Sequence, residues 1–149
     1  MATIHDVAAY IIDHFGTSVS PMKLQKLSFF SQGWALALLA KPLFREDFEA
    51  WVNGPVSYDL FDVHRGEWAV DAWPKGRASN LTERERVVVD AVLKNYGALS
   101  GKELSELTHK PGTPWHQVRA EPGLRANERT RELITRERMK SYFVEALKG

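Results

Sequence analysis

The chain has no cysteine, almost no net charge and no long apolar run, and each absence removes a class of function. Without cysteine there is no disulfide scaffold, thiol catalysis, Cys-ligated zinc or iron–sulfur cluster, so metal ligation would fall to His and carboxylates. Twenty Lys and Arg stand against nineteen Asp and Glu, a formal charge of +1. A chain so balanced has no global field to hold polyphosphate, and a nucleic-acid partner is not expected. The longest apolar run, Gly33 to Ala40, is far shorter than the ~20 residues that span a bilayer, so no membrane partner is expected either. The N-terminal stretch MATIHDVAAYIIDHFG lacks a basic leader region and carries Asp6 and Asp13 among its apolar residues. It does not read as a signal peptide, and the expected location is cytoplasmic.

What is present is core-forming material. Hydrophobic residues make up 44% of the 149, and five Trp, seven Phe and four Tyr supply large apolar surfaces. A chain of this length buries roughly 68–70% of the surface it exposes when unfolded, enough for one domain. No repeat, low-complexity segment or long linker divides it, so residues 1–149 are read as one domain. Charge is uneven along the chain: residues 1–75 carry six basic and nine acidic side chains, residues 76–149 fourteen and ten.

Periodicity and capping residues predict a mainly α-helical bundle. Ile4, Val7, Ala8, Ile11, Ile12 and Phe15 mark one face of a first helix, with Thr3 and Asp6 as a capping box and Gly16 as its end. Ser20 and Pro21 open a second helix reaching about Leu39, apolar nearly all round beyond Phe29 and therefore central. Its stripe of Leu24, Leu27, Trp34 and Leu38 is expected to be buried along its length. Residues 41–55 fit neither period and predict a structured connection or one small β element near 44–53 closed by Asn53-Gly54-Pro55. Ser57 caps a short helix with Leu60, Phe61 and His64, and residues 65–80 read as a loop pinned by Trp68 and Trp73. Thr82 with Glu85 and Ser100 with Glu103 open two further helices, Thr113-Pro114-Trp115 a short one, and Thr135 the last, with Ile134 and Met139 placed as a hydrophobic staple. Residues 121–134 read as charged and irregular.

The sequence contains no recognisable catalytic constellation. There is no G-x-S-x-G, Walker loop, G-x-G-x-x-G or H-E-x-x-H, and no enzyme is expected. His5 and His14 are nine positions apart on one helix and face opposite ways; His109 and His116 flank a turn but lack a carboxylate at a ligand spacing, so no metal or other cofactor is expected. Gln25, Ser28 and Gln32 form a polar strip on the central helix. Either they satisfy backbone groups of the irregular 41–56 connection, or they line a recognition groove. The segment over residues 98–119 pairs two short helices across a turn. As a helix-turn-helix over residues 100–120 it would turn Trp115, His116, Gln117 and Arg119 toward a DNA groove, and the alternative function is that of a DNA-binding transcriptional regulator.

Taken in order, SPMKLQKLSFFSQGWALALLAKPLF, DFEAWVNGPV, LSGKELSELTHKPGTPWHQVR and ITRERMKSYF resemble the Panacea domain, also called the SocA-like antitoxin domain, of phage-associated proteins. The first block is the most specific, because Lys-Leu-Gln-Lys-Leu, the aromatic pair, Gln-Gly-Trp and Phe-Glu-Ala-Trp to Gly-Pro-Val occur together. Phe29, Phe30 and Phe61 stand where members often have Tyr. The resemblance implies an antitoxin that neutralises a cognate protein toxin, usually encoded beside it, by direct binding; one branch instead acts as an adaptor to a Clp-type protease. It brings no catalytic residues. Irregular, rigidly punctuated loops carry function more often than regular helices. The expected toxin-facing patch is therefore Asn53, Gly54, Pro55 and Val56 with Trp51, joined by Gln25, Phe29 and Gln32 if the central helix is open there. The competing reading is that Trp51 and Gly54-Pro55 lock the chain over the helix.

Overall fold

A computed structural model describes residues 1–149. The centre of the molecule is α2 (Pro21–Leu38), and its composition explains why. A helix that is apolar on every side has no face for water, so neighbours must cover it all round. The neighbours are α1 (Ile4–Phe15), α4 (Glu83–Tyr96), α5 (Gly101–His109) and α7 (Arg136–Leu147); the short α3 (Tyr58–His64) packs on α1 and α2, and the short α6 (Pro114–Ala120) on α5 and α7. One continuous core touches every helix, from Ile4 and Ile11 through Leu24 and Leu27 to Leu104, Trp115 and Phe143.

The caps lie where the sequence places them. Thr3, Thr82 and Ser100 accept from the N3 amides of α1, α4 and α5, and Asp6, Glu85 and Glu103 reach back to complete three capping boxes. Ser20, Ser57, Thr113 and Thr135 cap the other four helices. Each such cap is typically worth about 1 kcal/mol. Ile134 and Met139 are both buried across the start of α7, as a staple requires.

The β element is a three-stranded antiparallel sheet rather than a single strand. β1 (Phe48–Trp51) lies between β2 (Gly54–Val56) and β3 (Leu133–Ile134), with Glu49 opposite Val56 and Phe48 opposite Ile134. The third strand comes from the segment read as irregular. Two residues are too few to show a period, so no local pattern marks it.

Two expectations of burial are corrected. Leu24 and Leu27 are fully buried, but Trp34 is only partly so and Leu38 is 49% exposed. In the last turn of α2 it is Ala35 and Leu36 that are buried, so the covered face there lies to one side of the stripe and leaves Leu38 outward. In the 65–80 loop Trp73 is buried and donates to His5 Nδ1 at 3.0 Å, whereas Trp68 is 94% exposed and pins nothing.

Candidate partner-binding groove

The turn between β1 and β2 is held by side chains from three helices, each on a different backbone group. The Arg119 guanidinium donates to the Ala50 carbonyl (2.8 Å) and the Trp115 indole to that of Trp51 (2.6 Å). His109 Nε2 lies 3.0 Å from the Val52 carbonyl, and the Ser105 hydroxyl donates to that of Asn53 (2.6 Å). Lys26 donates to the Pro55 carbonyl at 3.0 Å. The Gln25 amide accepts from Ser57 N–H (2.8 Å) and donates to Ser57 C=O (3.0 Å). A buried backbone group left unpaired costs roughly 1–3 kcal/mol, so these contacts fix the hairpin to the bundle with little freedom. They also bring the separated sequence blocks together in space. Gln25 and Lys26 belong to Lys-Leu-Gln-Lys-Leu, Ser105 and His109 to the α5 block, and Trp115 and Arg119 to the Pro-Trp-His-Gln-Val-Arg block.

With its backbone so held, the turn offers its side chains. Trp51 and Val52 are half-buried and Asn53 is exposed, and all three line a groove of about 1010 Å³. The groove runs between α2, the hairpin, α3 and residues 127–131. Its aromatic wall is Trp51 edge-on to Phe61 (centroids 5.0 Å) with Tyr58 beside them. The Arg131 guanidinium lies 4.5 Å from the Tyr58 ring centre and makes a two-point ion pair with Glu49 at 2.8 and 3.0 Å. Burial would raise the Glu49 carboxyl, but the hydrogen bonds from Arg131 and Trp51 outweigh it and hold the group below the usual carboxylate range. At the floor, Lys26 is fully enclosed, and burial brings its amine down to about 7. Burial, with the Lys26 charge adding to it, likewise holds His64 below its ordinary value against the opposing effect of its own backbone.

Of the eight residues expected to meet a partner, Gln25, Trp51, Asn53 and Val56 line this groove. Gly54 and Pro55 lie beneath it, buried in β2. Phe29 and Gln32 are corrected: at 2% and 1% exposure they lie inside the molecule. Phe29 packs on Phe48 and Phe143, and Gln32 bridges Leu43 N–H (2.8 Å) and Phe44 C=O (2.9 Å). The structural reading of the polar strip therefore holds for Gln32. Gln25 satisfies backbone groups and also lines the groove. Ser28, the strip's third member, is buried with no hydrogen-bond partner for its hydroxyl.

Sequence reasoning missed Tyr58, Phe61 and His64 as one wall. Their three-residue spacing next to the hairpin was the available signal. It also missed Arg129 to Arg131, because only the Arg131 ion pair with Glu49, 82 positions away, brings that segment in.

The helix-turn-helix reading is corrected by the same geometry. Trp115 and Arg119 are buried, and the Arg119 guanidinium is spent on the carbonyls of Ala50, Arg125 and Glu128, so neither can face DNA. His109 turns to the hairpin while His116 Nδ1 takes the Gly112 N–H at 3.2 Å, and no three His, Asp or Glu side chains gather closely enough to hold a metal ion. No helix is long and apolar enough to cross a membrane.

A helical scaffold that spends its buried polar side chains on locking one hairpin beside an open groove has the build of a binding domain. The family profile described as antitoxin SocA-like, Panacea domain, matches residues 24–116, and the chain belongs to that family. The matched span begins at the central helix and ends at Trp115 and His116, so it holds nearly all of the hairpin clamp. Antitoxin SocA of Caulobacter vibrioides (strain NA1000 / CB15N) is 30% identical over 117 residues, 70% of this chain and 62% of that protein. The chain thus spans less than two thirds of the curated relative it matches. No solved structure matches it.

Proposed function

We propose that the chain is an antitoxin that neutralises a cognate protein toxin by direct binding in the cytoplasm, with the groove beside the β1–β2 turn as the contact surface. The observation that carries this reading is the convergence of the family's separated sequence blocks on the backbone of residues 50–57. Polar side chains of α5 and α6, with Gln25 and the buried Lys26 of α2, hold a turn whose Asn53 side chain is exposed and makes no hydrogen bond within the chain. A rigid turn presented this way loses little freedom on binding, which favours affinity. The half-buried Trp51 and Phe61 with Tyr58 supply the kind of aromatic centre that dominates interface energy. The relative named as an antitoxin supports the same role.

The test is growth rescue. The product of the neighbouring gene, expressed alone, is expected to arrest growth, and co-expression of this chain to restore it. Purified together, the two are expected to elute as one complex. Rescue that disappears in a host lacking its Clp-type proteases, with no complex formed by the purified proteins, would replace direct neutralisation by delivery to the protease.

A further inference from the structure

From the charges around the groove we infer the chemistry of its occupant: an acidic segment of the partner protein, carrying carboxylates on either side of an apolar anchor. This rests on the groove being the binding surface proposed above, and adds what the surface selects. The lining includes Lys26, Arg129 and Arg131 and no Asp or Glu. A second cleft of about 510 Å³ shares Met22 and Asn53 with the first, so the two meet at the turn. It adds Lys102 and Lys110, with Glu106 its one acid.

Not all of these cations are free. Arg131 is committed to Glu49. The side chains of Arg129, Lys102 and Lys110 are exposed and form neither an ion pair nor a hydrogen bond within the chain. Lys26 has three N–H donors when charged and one acceptor, Pro55 O, so donors are left over at the groove floor. A carboxylate reaching the groove floor would add a charge-assisted partner to the one that Lys26 already has. Between the cations the surface is apolar, with Met22, Trp51, Val52 and Phe61, which suits a hydrophobic anchor rather than a sugar–phosphate chain. Three free surface cations are also too few for the repeated phosphate contacts that nucleic-acid binding requires.

The experiment selects dodecapeptides from a displayed random library on the immobilised full chain. The expected consensus is Asp or Glu flanking one aromatic or aliphatic residue. A synthetic peptide of that consensus should bind in fluorescence anisotropy and weaken with salt. It should lose roughly tenfold or more in affinity against the Arg129→Glu/Lys110→Glu variant, whose melting temperature, circular dichroism and elution volume should match the wild type. A neutral or basic consensus, no enrichment, affinity unchanged by the charge reversal, or displacement by a single-stranded oligonucleotide at equal concentration would each overturn the inference. So would a concentration-dependent dimer in sedimentation that masks the groove. The two readings fail separately. Growth rescue by the charge-reversed variant overturns the acidic occupant and leaves the antitoxin standing; failure of the wild type to rescue overturns the antitoxin, while the peptide consensus still decides the charge of the occupant.

Discussion

Gly54 and Lys26 occupy each other's space: a Cβ on Gly54 would lie 2.7 Å from Lys26 Cε and 2.9 Å from Thr108 Oγ1, and the glycine has φ +115°. Both facts forbid a side chain there, one through sterics and one through the backbone. Gly54→Ala is expected to destabilise the fold by roughly 1–3 kcal/mol and to loosen the hairpin. Denaturant titration gives the first, and hydrogen exchange at the amides of residues 50–57 the second.

Lys26 makes stability rise with pH across a window well above the one in which carboxylates titrate. Its amine is near 7 in the folded chain and near 10.5 when unfolded, so between these values the unfolded state binds more protons. Stability contributed by this group therefore rises as pH goes from about 7 to about 10.5 and is flat below. Lys26→Met should lack that rise. Melting temperatures of the two proteins across this range are expected to diverge in favour of the wild type as pH increases. Parallel curves would mean the amine keeps an ordinary pKa. His64, lowered in the fold, acts at the other end: stability falls as pH drops below 6.5 through its folded value, and His64→Gln should flatten that limb.

Gln32 and Ser28 sit a turn apart on one helix face and predict opposite outcomes. Gln32→Leu strands Leu43 N–H and Phe44 C=O in the interior, costing roughly 1–3 kcal/mol for each. Ser28→Ala removes a buried hydroxyl that has no partner, and is expected to be neutral or stabilising by urea denaturation.

Gly33 sets the approach of α7. A Cβ there would overlap the ring of Phe143, which packs against Trp34 and Phe30. Gly33→Ala gains about 1 kcal/mol of helix propensity and loses about 1–3 to overpacking, so net destabilisation is expected. Adding Phe143→Leu should recover part of the loss, and the double-mutant cycle measures how much.

Helices were legible because their signals are local. Thr3 with Asp6, Ser20 with Pro21, and Thr82 with Glu85 each lie within one turn of chain, and all formed the caps their chemistry favours. The hairpin's turn was legible in part: Asn53 lies in it, but Gly54 and Pro55, read with it as turn, form β2 opposite Trp51 and Ala50. The groove was legible only in part. Trp51 and Asn53 stand out beside that turn, but the Arg131 to Glu49 pairing that brings in the far wall spans 82 positions and leaves no local trace. Phe29 and Gln32 looked available because a polar strip reads the same whether it faces a groove or a buried backbone. What decides between them is the path of residues 41–44, which no period specifies. Leu38 shows the converse limit: on a helix apolar nearly all round the stripe does not say which side the neighbours cover, and in the last turn they cover Ala35 and Leu36 instead.

Val56 lines the groove at 8% exposure, so a charged residue there tests the fold rather than the surface. Asn53 and Tyr58 are the cleaner probes. Asn53 contributes only its backbone carbonyl to the clamp, and Tyr58 is the first residue of α3, where an acidic side chain suits the helix dipole. The most direct measurement is growth rescue by the Asn53→Asp/Tyr58→Asp variant, co-expressed with the neighbouring gene product and compared with wild type at equal protein level. The expected result is loss of rescue and of the co-purified complex, with a melting temperature within about 4 °C of wild type. Full rescue by that folded variant would contradict the groove as the surface through which the chain neutralises its partner.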